Sequence, residues 1–275
     1  MEIKITILVD NRASEGLLSE HGFSLWIETE KERILFDTGM GDALLHNADR
    51  LGIDLGLTDI LVLSHGHCDH TNGVFEVLKN SQKTVVYCHP GIMRPRYVVR
   101  DGSARPIRMP QKSMAAIDGL PSHNIHWVSK SVLINEKTGV ACPIQRETAY
   151  EDTGGPFFLD PQGMRKDNID DDLALWIKTK KGIAVFVGCC HSGLINTLNQ
   201  ISRLNKGSKI LSVMGGFHLL NADKLRLDKT ISALQSFAPV LLFPCHCTGN
   251  TATQMLKEAF GDQIIPGYAG ARYEF

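Results

Sequence analysis

The first half of the chain carries short stretches of apolar residues, several of them alternating with polar ones, and these predict β-strands joined by turns. The predicted strands are residues 1–10, 23–29, 33–36, 60–63, 84–88 and 125–128. A charged turn separates the second from the third, so we expect those two to form a hairpin. Helices are predicted near residues 41–51 and 73–79.

The second half alternates strand and helix patterns. Strands are predicted at residues 173–179, 183–187, 210–214 and 240–243, and helices at 194–204, 225–237 and 252–260. Hairpins followed by strand–helix alternation favour two sheets with helices outside them. We therefore expect one domain over residues 1–275, built of two similar halves.

Two segments lack a clear period: residues 151–172, and residues 91–118, which are rich in arginine and proline. We interpret residues 91–118 as a loop or cap over the sheet edge. Between Arg94 and Lys112 one acid, Asp101, stands among six basic residues: Arg94, Arg96, Arg100, Arg105, Arg108 and Lys112. Arginine grips phosphate well, so Arg94, Arg96 and Arg100 are predicted phosphate contacts, and a solvated basic loop is the equal alternative.

The segment from Ser64 to Thr71 concentrates possible metal ligands directly after a buried strand. His65 and His67 share one face of an extended chain, so both can bind one ion. Asp69 and His70 follow a turn and can point at a neighbouring ion. Imidazole and carboxylate ligands suit zinc, and also iron or manganese. We expect one or two divalent ions, with zinc favoured.

Three later histidines, His191, His218 and His246, each follow an apolar strand and then glycine or proline. Strand ends of this kind gather functional side chains. The chain has seven cysteines, an odd number that is untypical of a secreted disulfide framework. Strand alternation would put Cys189 on the side of His191, which makes it a possible ligand, and would turn Cys247 away from His246.

The motif His65-x-His67-x-Asp69-His70 resembles the signature of the metallo-β-lactamase superfamily. Ile34 to Gly39 resembles its early strand and aspartate turn. Further segments resemble one subgroup, which includes the archaeal dihydropterin ribofuranosylaminobenzene 5′-phosphate synthases: Val187–Gly193, Gly215–Leu219 and Pro244–Gly249. The resemblance implies an α+β fold, an αββα four-layer sandwich of two mixed sheets with the metal site between them.

The resemblance also implies roles for the later residues. His246 would complete the second ion with Asp69 and His70, and His191 would either complete the first ion or stand near the usual bridging aspartate. The chain departs from the common Gly-Asp pair, because Cys189 follows Gly188.

Two other side chains keep more than one role. His218 is left as a ligand, a proton donor or an oxyanion stabiliser. Asp37 either accepts a hydrogen bond from a ligand histidine or forms a turn.

These ligands favour a metal-dependent hydrolase that acts on a small anionic substrate through a metal-bound hydroxide. Asp69 would orient the water and His218 would assist the leaving group. The alternatives are a transferase that joins a dihydropterin methyl diphosphate to ribofuranosylaminobenzene 5′-phosphate with release of pyrophosphate, and a non-catalytic metal-binding module.

The formal net charge of −1 gives no indication of nucleic-acid or membrane-surface binding. The N-terminus does not resemble a signal peptide, so we expect a cytoplasmic protein with a small-molecule substrate. Oligomeric state is left open.

Overall fold

A computed structural model describes residues 2–81 and 83–275. Its strands, in chain order, are β1 (Lys4–Val9), β2 (Ser24–Glu28), β3 (Arg33–Phe36), β4 (Ile60–Val62), β5 (Val85–Cys88), β6 (Tyr97–Arg100), β7 (Ser103–Pro106), β8 (Ile125–Trp127), β9 (Val132–Leu133), β10 (Thr138–Ala141), β11 (Phe157–Phe158), β12 (Ala174–Lys178), β13 (Ile183–Val187), β14 (Ile210–Gly216), β15 (Leu241–Cys245) and β16 (Arg272–Glu274).

The α-helices in the same residues are α1 (Asp42–Leu51), α2 (Cys68–Thr71), α3 (Val74–Asn80), α4 (Gln111–Asp118), α5 (Leu194–Leu204), α6 (Lys224–Phe237) and α7 (Asn250–Phe260). Within the described part of the chain, none of the helices combines the length and apolar character that a membrane span requires.

The chain divides into two compact units. The first comprises Met1–Ser129, Pro156–Asp167 and Tyr268–Phe275. Its main sheet has the strand order β16-β1-β2-β3-β4-β5-β8. Strands β16 to β3 pair in antiparallel fashion, whereas β3, β4, β5 and β8 run parallel, so the sheet is mixed.

Strand β4 and the last three residues of β3 are apolar on both faces, as parallel strands usually are. Leu35 and Leu61 belong to a buried cluster with residues of α1, α3 and α4, while Ile34 and Phe36 are buried on the opposite face. Phe36 pairs with Val62 at the ends of β3 and β4. The segments that follow these strands therefore start at the same edge of the sheet.

Residues 91–118 contain regular structure, contrary to the expected irregular loop. Strands β6 and β7 form a hairpin in a small sheet of order β11-β6-β7, and α4 follows. The strands are four residues long and mostly half-buried or exposed, so they leave no clear alternation in the sequence. The backbone N–H of Cys68 donates to Ile107 O at 2.8 Å, which ties this segment to the histidine-rich loop.

The second unit comprises Lys130–Gly155 and Asn168–Gly267. Its mixed sheet has the order β15-β14-β13-β12-β10-β9, parallel from β15 to β13 and antiparallel beyond. Helices α5, α6 and α7 pack their apolar residues into its core. Val187 pairs with Gly215 and Gly216 with Cys245, so the three segments that carry the later histidines leave one edge of this sheet.

Two mixed sheets with helices confirm the predicted α+β class. The longer predicted strands and helices are present with shifts of a few residues at their ends. Strands β9, β10, β11 and β16 were not predicted, because each has only two to four residues and β10 is interrupted by a glycine.

Helix α5 offers a matched test of the core of the second unit. Leu198 is fully buried, whereas Leu204 in the same helix is 41% exposed. We expect Leu198→Ala to lower the free energy of unfolding by about 2–5 kcal/mol, because it leaves a cavity. Leu204→Ala should cost less than about 1 kcal/mol. Chemical denaturation measures both, and equal losses would contradict the packing described for this helix.

Candidate functional site

Asp37 organises the ligand-rich loop of the first unit. Its carboxylate is fully buried and accepts hydrogen bonds from Ser64 N at 2.7 Å, from Ser64 Oγ at 2.6 Å and from His70 Nδ1 at 2.7 Å. A buried carboxylate is costly unless such donors surround it. The contact with Nδ1 leaves Nε2 of His70 as the nitrogen that would bind a metal.

His65 and His67 face each other inside the first unit. His65 Nδ1 lies 2.9 Å from Ser64 Oγ, and His65 Nε2 lies 2.9 Å from His67 Nδ1. Both rings are buried. A tetrahedral zinc ion with Zn–N bonds of 2.0–2.1 Å holds its ligand nitrogens about 3.3 Å apart. The donor type of this pair therefore suits a metal ion, and the two nitrogens would need to separate by about 0.4 Å to bind zinc together.

Asp69 and His70 form a second potential ligand pair in the same unit. Asp69 Oδ2 lies 3.8 Å from His70 Nε2. It also lies 3.2 Å from Nε2 of His21, a mostly exposed histidine that the sequence reading missed. His21 is remote in sequence from the cluster, so no spacing rule would have found it. Two imidazole nitrogens therefore lie within 4 Å of the Asp69 carboxylate.

Arg96 is not placed as a surface phosphate contact, which differs from the expectation. It is fully buried, and its Nε lies 2.9 Å from Asp167 Oδ2. A Cβ added to Gly66 would meet Ile92 O at 2.3 Å and Arg96 Nη1 at 2.8 Å. The Arg96 guanidinium therefore packs under the loop between His65 and His67, where only glycine fits, while Arg94 and Arg100 are exposed.

His191 is the first candidate ligand of the second unit. It is buried, and its Nδ1 lies 2.8 Å from Thr153 O. A carbonyl oxygen only accepts, so Nδ1 carries the proton and Nε2 is the nitrogen that would bind a metal. Arg146 Nη1 donates to His191 O at 2.8 Å and fixes the backbone at this residue.

Glu151 fixes the loop that carries Thr153. Its carboxylate accepts hydrogen bonds from Ile195 N at 2.8 Å and Asn196 N at 3.0 Å, in the first turn of α5. Carboxylates are stabilised there by the unsatisfied N–H groups and the helix dipole. Glu151 lies in a segment that was expected to be irregular, and its role was not predicted because the helix that holds it lies more than forty residues away.

Cys189, His218 and Cys247 form a buried cluster within the second unit. One ligand atom from each of the three lies within 4.8 Å of the others, and the two Sγ atoms are 3.3 Å apart. The expected orientation of Cys247 was wrong. Strand β15 ends at Cys245, and residues 246–248 form a 3-10 turn, so strand alternation no longer applies there.

The cluster gives Cys247 unusual acidity. Burial alone would raise the pKa of its thiol, but the hydrogen bond with Cys189 and the charge of His218 lower that pKa well below its usual value. Burial would lower the pKa of His218, but the charge of Cys247 raises it. By contrast, burial raises the thiol pKa of Cys68 to about 11 and of Cys142 to about 12.

Three of the predicted site residues adopt left-handed backbone conformations. The φ angle is 58° at Asp37, 47° at His218 and 45° at His246, which is itself buried. Such conformations cost non-glycine residues about 1–2 kcal/mol. Backbone strain of this size is common at functional sites, where the contacts around a residue hold it in the strained conformation.

The sequence profile of the metallo-β-lactamase superfamily matches residues 20–156. Together with the relatives below, this places the chain in that superfamily. A 7,8-dihydropterin-6-methyl-4-(β-D-ribofuranosyl)-aminobenzene-5′-phosphate synthase of Methanocaldococcus jannaschii is 30% identical, covering 99% of this chain and 97% of the synthase.

Two further proteins are similar along nearly their whole length. The uncharacterised protein MJ0448 of the same organism is 31% identical, covering 97% of this chain and 98% of the relative. The solved structure of Tm1679, a metal-dependent hydrolase of the β-lactamase superfamily, matches with a TM-score of 0.85 and 29% identity, covering 99% of each chain. A synthase and a hydrolase are thus similar to this chain to nearly the same degree.

Asp172 is a buried carboxylate beside the segment that carries His191. It accepts a hydrogen bond from Ser192 N at 2.6 Å, and burial raises its pKa to about 7 despite that bond and the charge of Arg146. In the unfolded chain its pKa is near 3.8. Between these values the folded state holds a proton that the unfolded state has lost.

In the metal-free protein, the contribution of Asp172 to the free energy of unfolding should therefore fall as pH rises from about 4 to 7. The pKa of Asp172 is higher in the folded state than in the unfolded state, so the folded state is favoured only while this carboxyl group is protonated. The full cost above pH 7 is roughly 4 kcal/mol. Asp172→Asn should flatten this decline, whereas Asp170→Asn at the exposed neighbour should keep it. Denaturant melts across this pH range measure the effect, and an unchanged slope in Asp172→Asn would contradict it.

Proposed function

We propose that this protein is a metal-dependent hydrolase that acts on a small, phosphorylated or otherwise anionic substrate. The observation that carries the proposal is the buried pair of facing imidazoles, His65 and His67, beside Asp69 and His70. Surface histidines would not be fully enclosed in this way. Divalent ions of the zinc type, with iron or manganese as alternatives, suit this donor set.

The proposed ligands are those that the sequence indicated: His65, His67, Asp69, His70, His191 and His246, with one or two ions. When bound, such ions polarise a phosphoryl or carbonyl oxygen and lower the pKa of a bound water towards about 7. Asp37 and the carbonyl of Thr153 hold the protons of His70 and His191 on Nδ1. Each Nε2 is thereby kept in its metal-binding form.

Asp69 is the proposed catalytic carboxylate. Its oxygens can accept a hydrogen bond from the attacking water while one of them ligates, and His21 at 3.2 Å limits its rotation. His218 keeps its three expected roles, ligand, proton donor to the leaving group and oxyanion stabiliser, and the thiols beside it favour the role of ligand.

The basic segment supports the choice of an anionic substrate. Arg94 and Arg100 are exposed, and the backbone of the segment is tied to the histidine-rich loop through Cys68 and Ile107. A planar guanidinium binds phosphate through two N–H groups at once. We propose these two arginines as the substrate contacts and leave out Arg96, which is paired with Asp167.

Replacing His67 tests the hydrolase directly. His67→Ala should hold fewer metal ions per chain than the wild type and reduce the hydrolysis of p-nitrophenyl phosphate esters at least about 100-fold, because it removes one of two facing ligands. Elemental mass spectrometry and a colorimetric assay measure both. The control is His126→Ala, since His126 is an exposed histidine stacked on Tyr87 and lies outside the cluster.

Full activity in His67→Ala would refute the metal-dependent mechanism. Bound metal in the wild type without turnover of any anionic substrate would instead favour a non-catalytic metal-binding module.

The second candidate is a synthase that joins a dihydropterin methyl diphosphate to ribofuranosylaminobenzene 5′-phosphate and releases pyrophosphate. The specific observation in its favour is the 30% identity to the M. jannaschii synthase along 99% of this chain. Metal ions would serve here too, because a diphosphate leaving group carries charge that they neutralise. Exposed arginines would suit the phosphorylated aminobenzene riboside.

The two reactions differ in what releases pyrophosphate. A synthase should release it only when both substrates are present, at a rate that equals the formation of the joined product. An enzyme-coupled pyrophosphate assay and mass spectrometry of the product measure this. Pyrophosphate released from the pterin diphosphate alone would indicate simple hydrolysis, and the His67→Ala protein serves as the blank for both.

A further inference from the structure

Two thiols of the second unit, those of Cys189 and Cys247, lie in direct contact. The Sγ atoms of Cys189 and Cys247 are 3.3 Å apart, and both residues are buried. Cys189 follows β13 and Cys247 follows β15, so the pair is brought together by the parallel strands on either side of β14. The ring of His218, which follows β14, completes the group. All three side chains thus come from one edge of one sheet.

The surroundings of the pair are shaped around the sulfur atoms. A Cβ added to Gly216 would lie 2.5 Å from Cys247 Sγ and 2.6 Å from Gly188 O, so this position has room for glycine alone. The 3-10 turn at residues 246–248 turns the Cys247 side chain to this side, and His218 takes a strained left-handed conformation there. Three independent local features therefore serve one cluster.

We infer that Cys189, His218 and Cys247 form a thiolate-rich site for a borderline or soft divalent ion such as zinc. Two thiols and one imidazole are a donor set that zinc accepts, and three protein ligands leave room for a further one. The thiols lose their protons when the ion binds. No side chain from residues 65–70 is needed, and in this site His218 is a ligand rather than a proton donor.

The inference goes beyond the proposed hydrolysis and can fail separately from it. It concerns which atoms hold an ion in the second unit, whereas the hydrolase proposal depends on the cluster from His65 to His70. The His67→Ala protein separates the two. It should lose hydrolysis yet keep sulfur ligation at Cys189 and Cys247.

Cobalt(II) reports sulfur ligation without any activity assay. The full-length protein, purified without oxygen, would be reduced, stripped of metal, checked by thiol titration, and titrated with cobalt(II). We expect an intense sulfur-to-cobalt charge-transfer band in the near ultraviolet for the wild type. Cys189→Ser and Cys247→Ser should each lose roughly half of its intensity or more, since one of two thiolates is gone.

Cys245→Ser is the matched control. Cys245 is equally buried, and its Sγ contacts Phe243 O at 3.3 Å, so serine replaces one donor by another outside the cluster. Its charge-transfer band should match that of the wild type. Circular dichroism melts check that each variant is folded.

The wild-type spectrum tests the inference even if a variant does not fold. Bound cobalt with no charge-transfer band, while titration finds the thiols reduced, would overturn it. A band of full intensity in Cys247→Ser would also overturn it, because sulfur ligation would then come from another cysteine.

Discussion

The buried carboxylate of Asp37 is the constraint on which the histidine-rich loop depends. A fully enclosed charge is tolerated only where donors surround it, and here Ser64 supplies two and His70 supplies one. Because β3 and β4 are parallel neighbours, Asp37 and Ser64 leave the sheet side by side. The compensation of one charge therefore sets the path of the loop, the tautomer of His70 and, through Ser64 Oγ, the contact made by His65.

In the second unit, His191 is also oriented by a hydrogen bond from its Nδ1 to an oxygen acceptor, here a backbone carbonyl. Glu151 is held by the N-terminus of α5, and this fixes the loop in which Thr153 O accepts from His191. The carboxylate thus acts through the backbone rather than on the ring directly. In both units the Nδ1 atom of a proposed ligand histidine faces an oxygen acceptor, which leaves Nε2 as the nitrogen that would bind a metal.

A structural feature of this protein could be predicted from the sequence where it depends on residues that are adjacent in the chain. The cluster from His65 to His70 and the strands that precede the later histidines are read from adjacent residues, because periodicity and strand ends are local signals. Arg96 was misplaced, since its burial comes from a pairing with the distant Asp167. Cys247 was misoriented because alternation fails where β15 gives way to a 3-10 turn. A single sequence does not reveal which distant residues pair, or where the alternation of a strand ends.

The Gly188–Cys189 pair, where many members of the superfamily have Gly-Asp, gains a physical explanation from its surroundings. In the proposed thiolate-rich site, Cys189 carries the same unit charge as a carboxylate but is a softer ligand, so this position favours a softer ion than an aspartate would. A single thiolate offers one ligand atom, whereas a carboxylate offers two oxygens. Cys247 supplies the missing donor at 3.3 Å, and Gly216 leaves the space for it. The departure at Cys189 and the turn that redirects Cys247 are therefore parts of one change in ligand chemistry.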